Sequence, residues 1–244
     1  MSFRTFKRRL LRRLGILPPK YKSFVVGSAE NYDTMGRSQF EMLKFWGLRE
    51  EHFLLDIGCG SLSGGRFAIK FLAPDHYYGI EPEQWLIDEG CRNELGAALM
   101  ASKRPSFNND TSFNLSLFGR QFDFLVAHSI LSHTSQQQMR NLFSEAAKVM
   151  PASSIFLASY LQDESDYSGS EWVYPGVSRY TFATVEALAA QSGLKCGLSQ
   201  WPHPGKQRWL VFYRASNAEF VAGRVRAASA AGAGDAPPPP LTQN

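Results

Sequence analysis

One stretch restricts this chain more than any other: Leu54-Leu55-Asp56-Ile57-Gly58-Cys59-Gly60-Ser61-Leu62-Ser63-Gly64-Gly65. A short apolar run bounded by glycines reads as a buried strand. It ends in an acid and passes through a glycine-rich turn into a helix from about Gly64 to Leu72. Glycines at a strand-to-helix turn let the backbone come close to a ligand. Parallel sheets bind their ligands at the carboxyl ends of the strands. The dinucleotide fingerprint would need a third glycine at position 63, where the chain has Ser63, so the fit to a nicotinamide or flavin site is poor. An acid inside the turn repels a phosphate and suits an ammonium or sulfonium.

The next apolar segment, Tyr77 to Ile80, leads to Glu81-Pro82. An acid about 20 residues beyond the glycine turn is placed to accept the hydroxyls of a ribose. A ribose joined to a cationic amino acid, without phosphate, describes S-adenosylmethionine.

Strand and helix alternate through the rest of the body. The spacing predicts helices over 37–46, 83–99 and 181–191, and strands over Phe53–Ile57, at Phe107, and over Phe122–Ala127 and Ile155–Tyr160. Between the last two lies an amphipathic helix with Met139, Leu142, Phe143, Ala146, Val149 and Met150 on one face. Thr134 or Ser135 caps it and Pro151 ends it. Two final strands, about Leu194–Gln200 and Arg208–Tyr213, are joined by the short loop WPHPGK, which makes them antiparallel. This is one α/β domain on a mostly parallel sheet.

The ends differ from this body. Residues 1–20 carry Arg4, Lys7, Arg8, Arg9, Arg12, Arg13 and Lys20 and no acid. That leaves 19 basic against 22 acidic residues on the rest, a net of −3. Phe3, Phe6, Leu10, Leu14 and Leu17 recur at helical spacing among these charges, giving an arm with an apolar stripe and a cationic face. Such a helix suits an anionic membrane surface through residues 1–19; the plainer alternative is a helix that packs on the body or a second subunit and exposes its charges to water. The body spans 21–226. Residues 227–244, rich in Ala, Gly and Pro, read as a disordered tail. No apolar run reaches the ~18 residues of a membrane span, and Cys59, Cys91 and Cys196 form no CxxC pair, so a cytoplasmic protein without a cysteine-rich metal site is expected.

LDIGCG, Glu81 after the second strand, and the segment FDFLVAHSILSHT together resemble the class I S-adenosylmethionine-dependent methyltransferases, over roughly residues 30–213. GCGSLSGGR, YGIEPE and SILSHT are similar to bacterial members that act on glycans or related small hydroxylated molecules. The resemblance implies a Rossmann-like, seven-stranded, mostly parallel sheet with a terminal antiparallel strand and helices on both faces. It implies that Asp56, Gly58, Cys59 and Gly60 line the methionine half of the cofactor, that Glu81 and Pro82 meet the ribose, Asn109 and Asp110 the adenine, and Ala127 and His128 the sulfonium. Arg37, in an upstream segment expected to fold over the cofactor, is placed to pair with its carboxylate.

In such a site the cofactor carries the hard chemistry, and a hydroxyl acceptor benefits from a nearby base. His133 and His128, just past the fourth strand, are the candidates. The helix that His133 opens would keep its imidazole neutral. Trp172, Tyr174 and Arg179, in the polar-aromatic stretch 163–180, and His203 are candidate contacts for a glycan or small-molecule acceptor. His52 and His76 are expected to face solvent. DNA amino-methyltransferases place an Asn/Asp-Pro-Pro-aromatic run after the fourth strand. Here that place reads Ala127-His128-Ser129-Ile130, which argues against DNA. No metal-ligand spacing appears. A catalytically silent scaffold and an RNA methyltransferase are the competing readings. The intact glycine motif and Glu81 argue against the first, the acidic body against the second.

Overall fold

The computed structural model describes Lys22 and residues 31–231, with side chains to 227. The basic arm 1–20 and the tail from 232 lie outside the described residues. In chain order the elements are α1 (Asn31–Phe45), β1 (Leu54–Ile57), α2 (Gly65–Phe71), β2 (Tyr77–Ile80), α3 (Gln84–Gly90), α4 (Ala97–Lys103), β3 (Ser106–Asn108), β4 (Phe124–Ala127), α5 (Gln136–Val149), β5 (Ile155–Tyr160), α6 (Phe182–Ala190), β6 (Lys195–Ser199), β7 (Arg208–Tyr213) and α7 (Ala218–Ala231).

The strands form one sheet in the order β3-β2-β1-β4-β5-β7-β6. All pairings are parallel except those of β7, which runs antiparallel to both β5 and β6. The chain therefore reverses its direction of travel across the sheet between β1 and β4. That is the switch point where open α/β sheets hold ligands.

Alternate residues of each central strand serve opposite faces. Leu55, Ile57, Leu125 and Ala127 join Met139, Leu142 and Phe143 of α5 and Val185 and Leu188 of α6 in one core. Leu54, Phe124 and Val126 join Met42 and Leu43 of α1, Ala68 and Ile69 of α2, Ile87 of α3 and Val221 of α7 in the other. Burial on both faces explains why β1 and β4 read as unbroken apolar runs, and it places helices on both sides of the sheet.

The ends of α5 and α6 follow side-chain chemistry. Of the two candidate caps for α5, Ser135 is the one used. Its Oγ accepts the Gln138 N–H, and Gln138 Oε1 accepts the Ser135 N–H, a reciprocal capping box. Thr181 caps α6 through the Thr184 N–H.

Several elements depart from the sequence reading. The helix expected over 83–99 is broken. α3 ends at Gly90, a π-helical turn spans Cys91–Leu95, and Gly96 (φ +77°) is the cap that precedes α4. α1 covers Asn31–Phe45, already helical six residues ahead of the expected start at 37. α7 has no counterpart in the reading and runs to Ala231, past the boundary drawn at 226. His52 and His76 do not face solvent freely. Both are half-buried; the His76 ring stacks on Phe53 with centroids 4.0 Å apart, and His52 lies 5.3 Å from Phe124. No helix among the described residues is long and apolar enough to cross a membrane.

Candidate active site

A cavity of about 470 Å³ opens at the carboxyl ends of β1, β2 and β4. Its floor is the glycine turn. Gly58 and Gly60 have φ of +73° and +53°, a left-handed backbone that glycine adopts without cost. The Gly58 and Cys59 N–H groups donate to the Ile80 carbonyl at 2.8 and 3.1 Å, tying the turn to the end of β2.

Two acids face this floor. The Glu81 carboxylate accepts the backbone N–H of Gly60 through Oε2 and that of Glu83 through Oε1, each at 3.0 Å. Every carboxylate oxygen has a second lone pair, so both remain open to further donors. Asp56 is buried, and its Oδ2 accepts the Tyr77 hydroxyl at 2.7 Å. Burial pushes the Asp56 carboxyl up to about 7, against the Tyr77 hydrogen bond and with the Glu81 charge. Burial also raises Glu81. Among the described residues no basic side chain pairs with either acid.

The opposite wall follows β4. His128, Ser129, Ile130 and His133 line it. His133 Nδ1 lies 2.8 Å from the Gly176 carbonyl oxygen. A carbonyl only accepts, so Nδ1 carries the proton and Nε2 keeps its lone pair. Burial lowers the His133 pKa, opposed by that hydrogen bond. Burial, rather than the helix start, is thus the leading cause of neutrality; Ser135 stands between His133 and the first turn of α5.

The segment 172–180 forms a strap over this wall. The Val173 and Ser178 N–H groups donate to the carbonyls of His133 and Ser132 at 3.0 and 2.7 Å. The Tyr180 hydroxyl donates to the Thr134 carbonyl at 2.8 Å. Trp172 and Tyr174 line the cavity and flank the His133 ring at centroid distances of 5.5 and 5.2 Å, yet each stays 41% exposed. Burial raises the Tyr174 phenol, and the Glu81 charge adds to it.

No protein-family model matches the sequence, and no curated protein is significantly similar to it. Solved structures do match in fold. Magnesium protoporphyrin IX methyltransferase (ChlM) from Synechocystis PCC 6803, with bound SAM, superposes with a TM-score of 0.58 at 14% identity, covering 88% of this chain and 98% of its own. DesVI from Streptomyces venezuelae gives 0.58 at 14% identity, over 80% and 97% of the two chains. The glycopeptide N-methyltransferase MtfA, complexed with S-adenosyl-L-homocysteine, gives 0.56 at 12% identity over 75% and 90%. The chain has the class I methyltransferase fold.

Against that methyltransferase fold the expected site residues divide clearly. Asp56, Gly58, Cys59 and Gly60 line the cavity, as do Glu81, Pro82 and Asp110, and on the far side His128, His133, Trp172 and Tyr174. Five others do not. Arg37 is exposed, with its guanidinium 5.2 Å from the Phe67 ring centroid, because the segment around it is helix α1 rather than a flap. Asn109 turns inward and donates to the Glu81 carbonyl at 2.8 Å. Ala127 is fully buried beneath the wall. Arg179 faces Asp163 at 3.9 Å, half exposed. His203 stands behind His128, its Nε2 2.9 Å from His128 Nε2. Asp110 reaches the cavity edge, but its carboxylate is engaged by Ser112 and by the Asn114 N–H.

The sequence reading missed Gln39, Ser129 and Phe113, which also line the cavity. Gln39 had a signal. It is a polar residue on the buried stripe Tyr32-Met35-Gln39-Met42 of α1, where polar groups need a partner. Ser129 and Phe113 have φ of +59° and +61°, and no residue pattern announces that.

Proposed function

We propose that this protein is an S-adenosylmethionine-dependent O-methyltransferase that acts on a hydroxyl of a glycan, sugar or related small molecule. The observation that carries the reading is the neutral His133, with Nδ1 bound to Gly176 and its Nε2 lone pair free, in one cavity with two buried acids that have no basic partner among the described residues.

The residues present fit the cofactor. Asp56 is a buried acid with no cationic partner among the described residues, and an ammonium or sulfonium held there would favour its carboxylate form. The two open lone pairs of Glu81 suit the hydroxyls of a ribose. The positive-φ glycines let the backbone approach without side chains in the way. When bound, S-adenosylmethionine supplies a methyl group already activated by its sulfonium. The protein's own part is to orient and to handle one proton. Trp172 and Tyr174 present flat faces to a sugar or ring and exclude water from the wall. His133 Nε2 takes the hydroxyl proton of the acceptor, and the Gly176 carbonyl steadies the resulting imidazolium through Nδ1–H. Solved structures with this fold include N-methyltransferases as well; a proton-accepting lone pair at the wall favours a hydroxyl.

Two tests concern the cofactor. Calorimetry should show Glu81→Ala weakening binding by about 1–3 kcal/mol, the scale of hydrogen bonds lost from a charged group. Unchanged affinity would remove the ribose assignment. The second test is pH. Below about 7 the free protein holds Asp56 protonated, whereas a cationic ligand favours the carboxylate. Affinity should therefore fall as pH drops below that value, with a proton released on binding, and level off above it. The same shift has an opposite sign for stability. The folded state keeps a proton that the unfolded state loses near 3.8, so this group's contribution declines as pH rises to about 7. Affinity that is flat between about pH 6 and about pH 8 would mean that Asp56 does not face the cation.

A further inference from the structure

The hairpin of β6 and β7 is far in sequence from the glycine turn, yet two of its side chains end on consecutive residues of the cavity wall. His203 Nδ1 accepts the Gly205 backbone N–H at 3.0 Å, so that nitrogen carries no proton. Burial lowers His203 to about 4 and His128 to about 3, the latter helped by His203 itself. Both rings are therefore neutral at neutral pH. A neutral imidazole has one N–H, so the His203 proton is on Nε2. The 2.9 Å contact between the two Nε2 atoms is then a donation from His203 into the His128 lone pair. The His128 proton is left on Nδ1. Trp209 braces both rings, at centroid distances of 5.3 and 5.5 Å.

Gln207 holds the neighbouring residue. The Ser129 N–H donates to Ser159 Oγ, the Ser159 hydroxyl donates to Gln207 Oε1, and Gln207 Nε2 donates back to Ser129 Oγ, each at 2.7 Å. This closed circuit fastens Ser129 in its left-handed conformation, a strained state for a non-glycine residue that persists only when its surroundings enforce it. The turn that carries His128 is thus held by two side chains of the same hairpin, His203 and Gln207, together with Ser159 of β5.

We propose that His203 is a positioning residue of the site: it fixes His128 as a hydrogen-bond donor and leaves His133 as the cavity histidine with a free lone pair. The two histidines of the wall then have opposite polarity. His133 accepts a proton; His128 gives a hydrogen bond to an oxygen lone pair of the bound molecule. The functional part rests on the methyl-transfer reading, but the tautomers do not depend on it.

The test reads them without turnover. In the uniformly 15N-labelled full chain, two-bond proton–nitrogen correlation spectra should show His203 protonated at Nε2 and His128 at Nδ1. In His203→Phe, which keeps a ring on Trp209 but removes the donor, the His128 pattern should change, with Nε2 gaining proton character. In His203→Gln, whose amide can donate, the original His128 pattern should return. An Nε2-protonated His128 in the parent overturns the assignment. So does an unchanged Nδ1-protonated pattern in His203→Phe. If that variant unfolds, the parent spectrum and His203→Gln still decide. Calorimetry with S-adenosylhomocysteine on the parent separates the two readings: no binding alongside the expected tautomers would sink the methyl-transfer reading and leave the histidine pair standing.

Discussion

Replacing His133 with alanine is expected to slow turnover by a factor of about 100 to 10,000, the usual contribution of a positioned base. Cofactor affinity should stay nearly constant, because the lost interaction belongs to the transition state. The reason lies in one bond. With Nδ1 committed to Gly176 at 2.8 Å, the Nε2 lone pair is the part of the ring left for chemistry. The pH profile supplies an independent check. Burial lowers the His133 pKa, so the parent's rate should fall on the acid side as the ring protonates, at a pH below the ordinary histidine value. His133→Ala should lack that limb. Near-normal turnover of the variant on the true acceptor would mean that alignment alone suffices. Collapsed cofactor binding would move His133 into the binding shell.

The second large effect is expected at Gly36. A Cβ built there would lie 1.9 Å from the Ser63 carbonyl oxygen and 2.5 Å from its carbon. No rotamer change relieves a clash with backbone, so α1 must lift off the glycine turn. Gly36→Ala should therefore cost roughly 3 kcal/mol, the upper part of the range for forcing a methyl into a packed interface. In a domain of this size that lowers the melting temperature by about 6–12 °C. The loss should reach the site as well. Tyr32, one turn earlier on α1, donates its hydroxyl to the Ser61 carbonyl at 2.6 Å, and Gln39, one turn later, lines the cavity. Thermal melts and cofactor titration on the same variant check both parts. A variant as stable as the parent would show that α1 is not held against Ser63 as described.

What could be read in advance follows from how local each cause is. The glycine turn, both acids and α5 are set by residues close in sequence, and their types announced them. The seven-stranded, mostly parallel sheet with its antiparallel end follows from the resemblance and from a short hairpin loop. The failures are tertiary. Arg37 is expected to pair with a carboxylate because its segment is expected to fold over the cofactor. With α1 running through 31–45, helical spacing turns Gln39 to the cavity and Arg37 outward. His203 is expected at the acceptor; whether it stands in front of His128 or behind it depends on how the hairpin folds back. The left-handed Ser129 and the break after Gly90 are backbone choices imposed by contacts from distant segments, and no local pattern encodes them.

The sheet order has a bearing on how this molecule reaches its final form. The strands that frame the cavity, β1 and β4, sit side by side although their pairing joins Leu54 to Phe124, and β5 finds β7 by joining Ile155 to Tyr213. Closing such long loops costs chain entropy before any pairing rewards it, which makes topologies of this kind slow to form. The wall residues His128 and Ser129 are held only after the last hairpin has docked. A ligand that recognises the completed cavity can stabilise the finished protein by mass action, but it has nothing to grip while the sheet is still being assembled. Its presence should slow unfolding far more than it speeds folding.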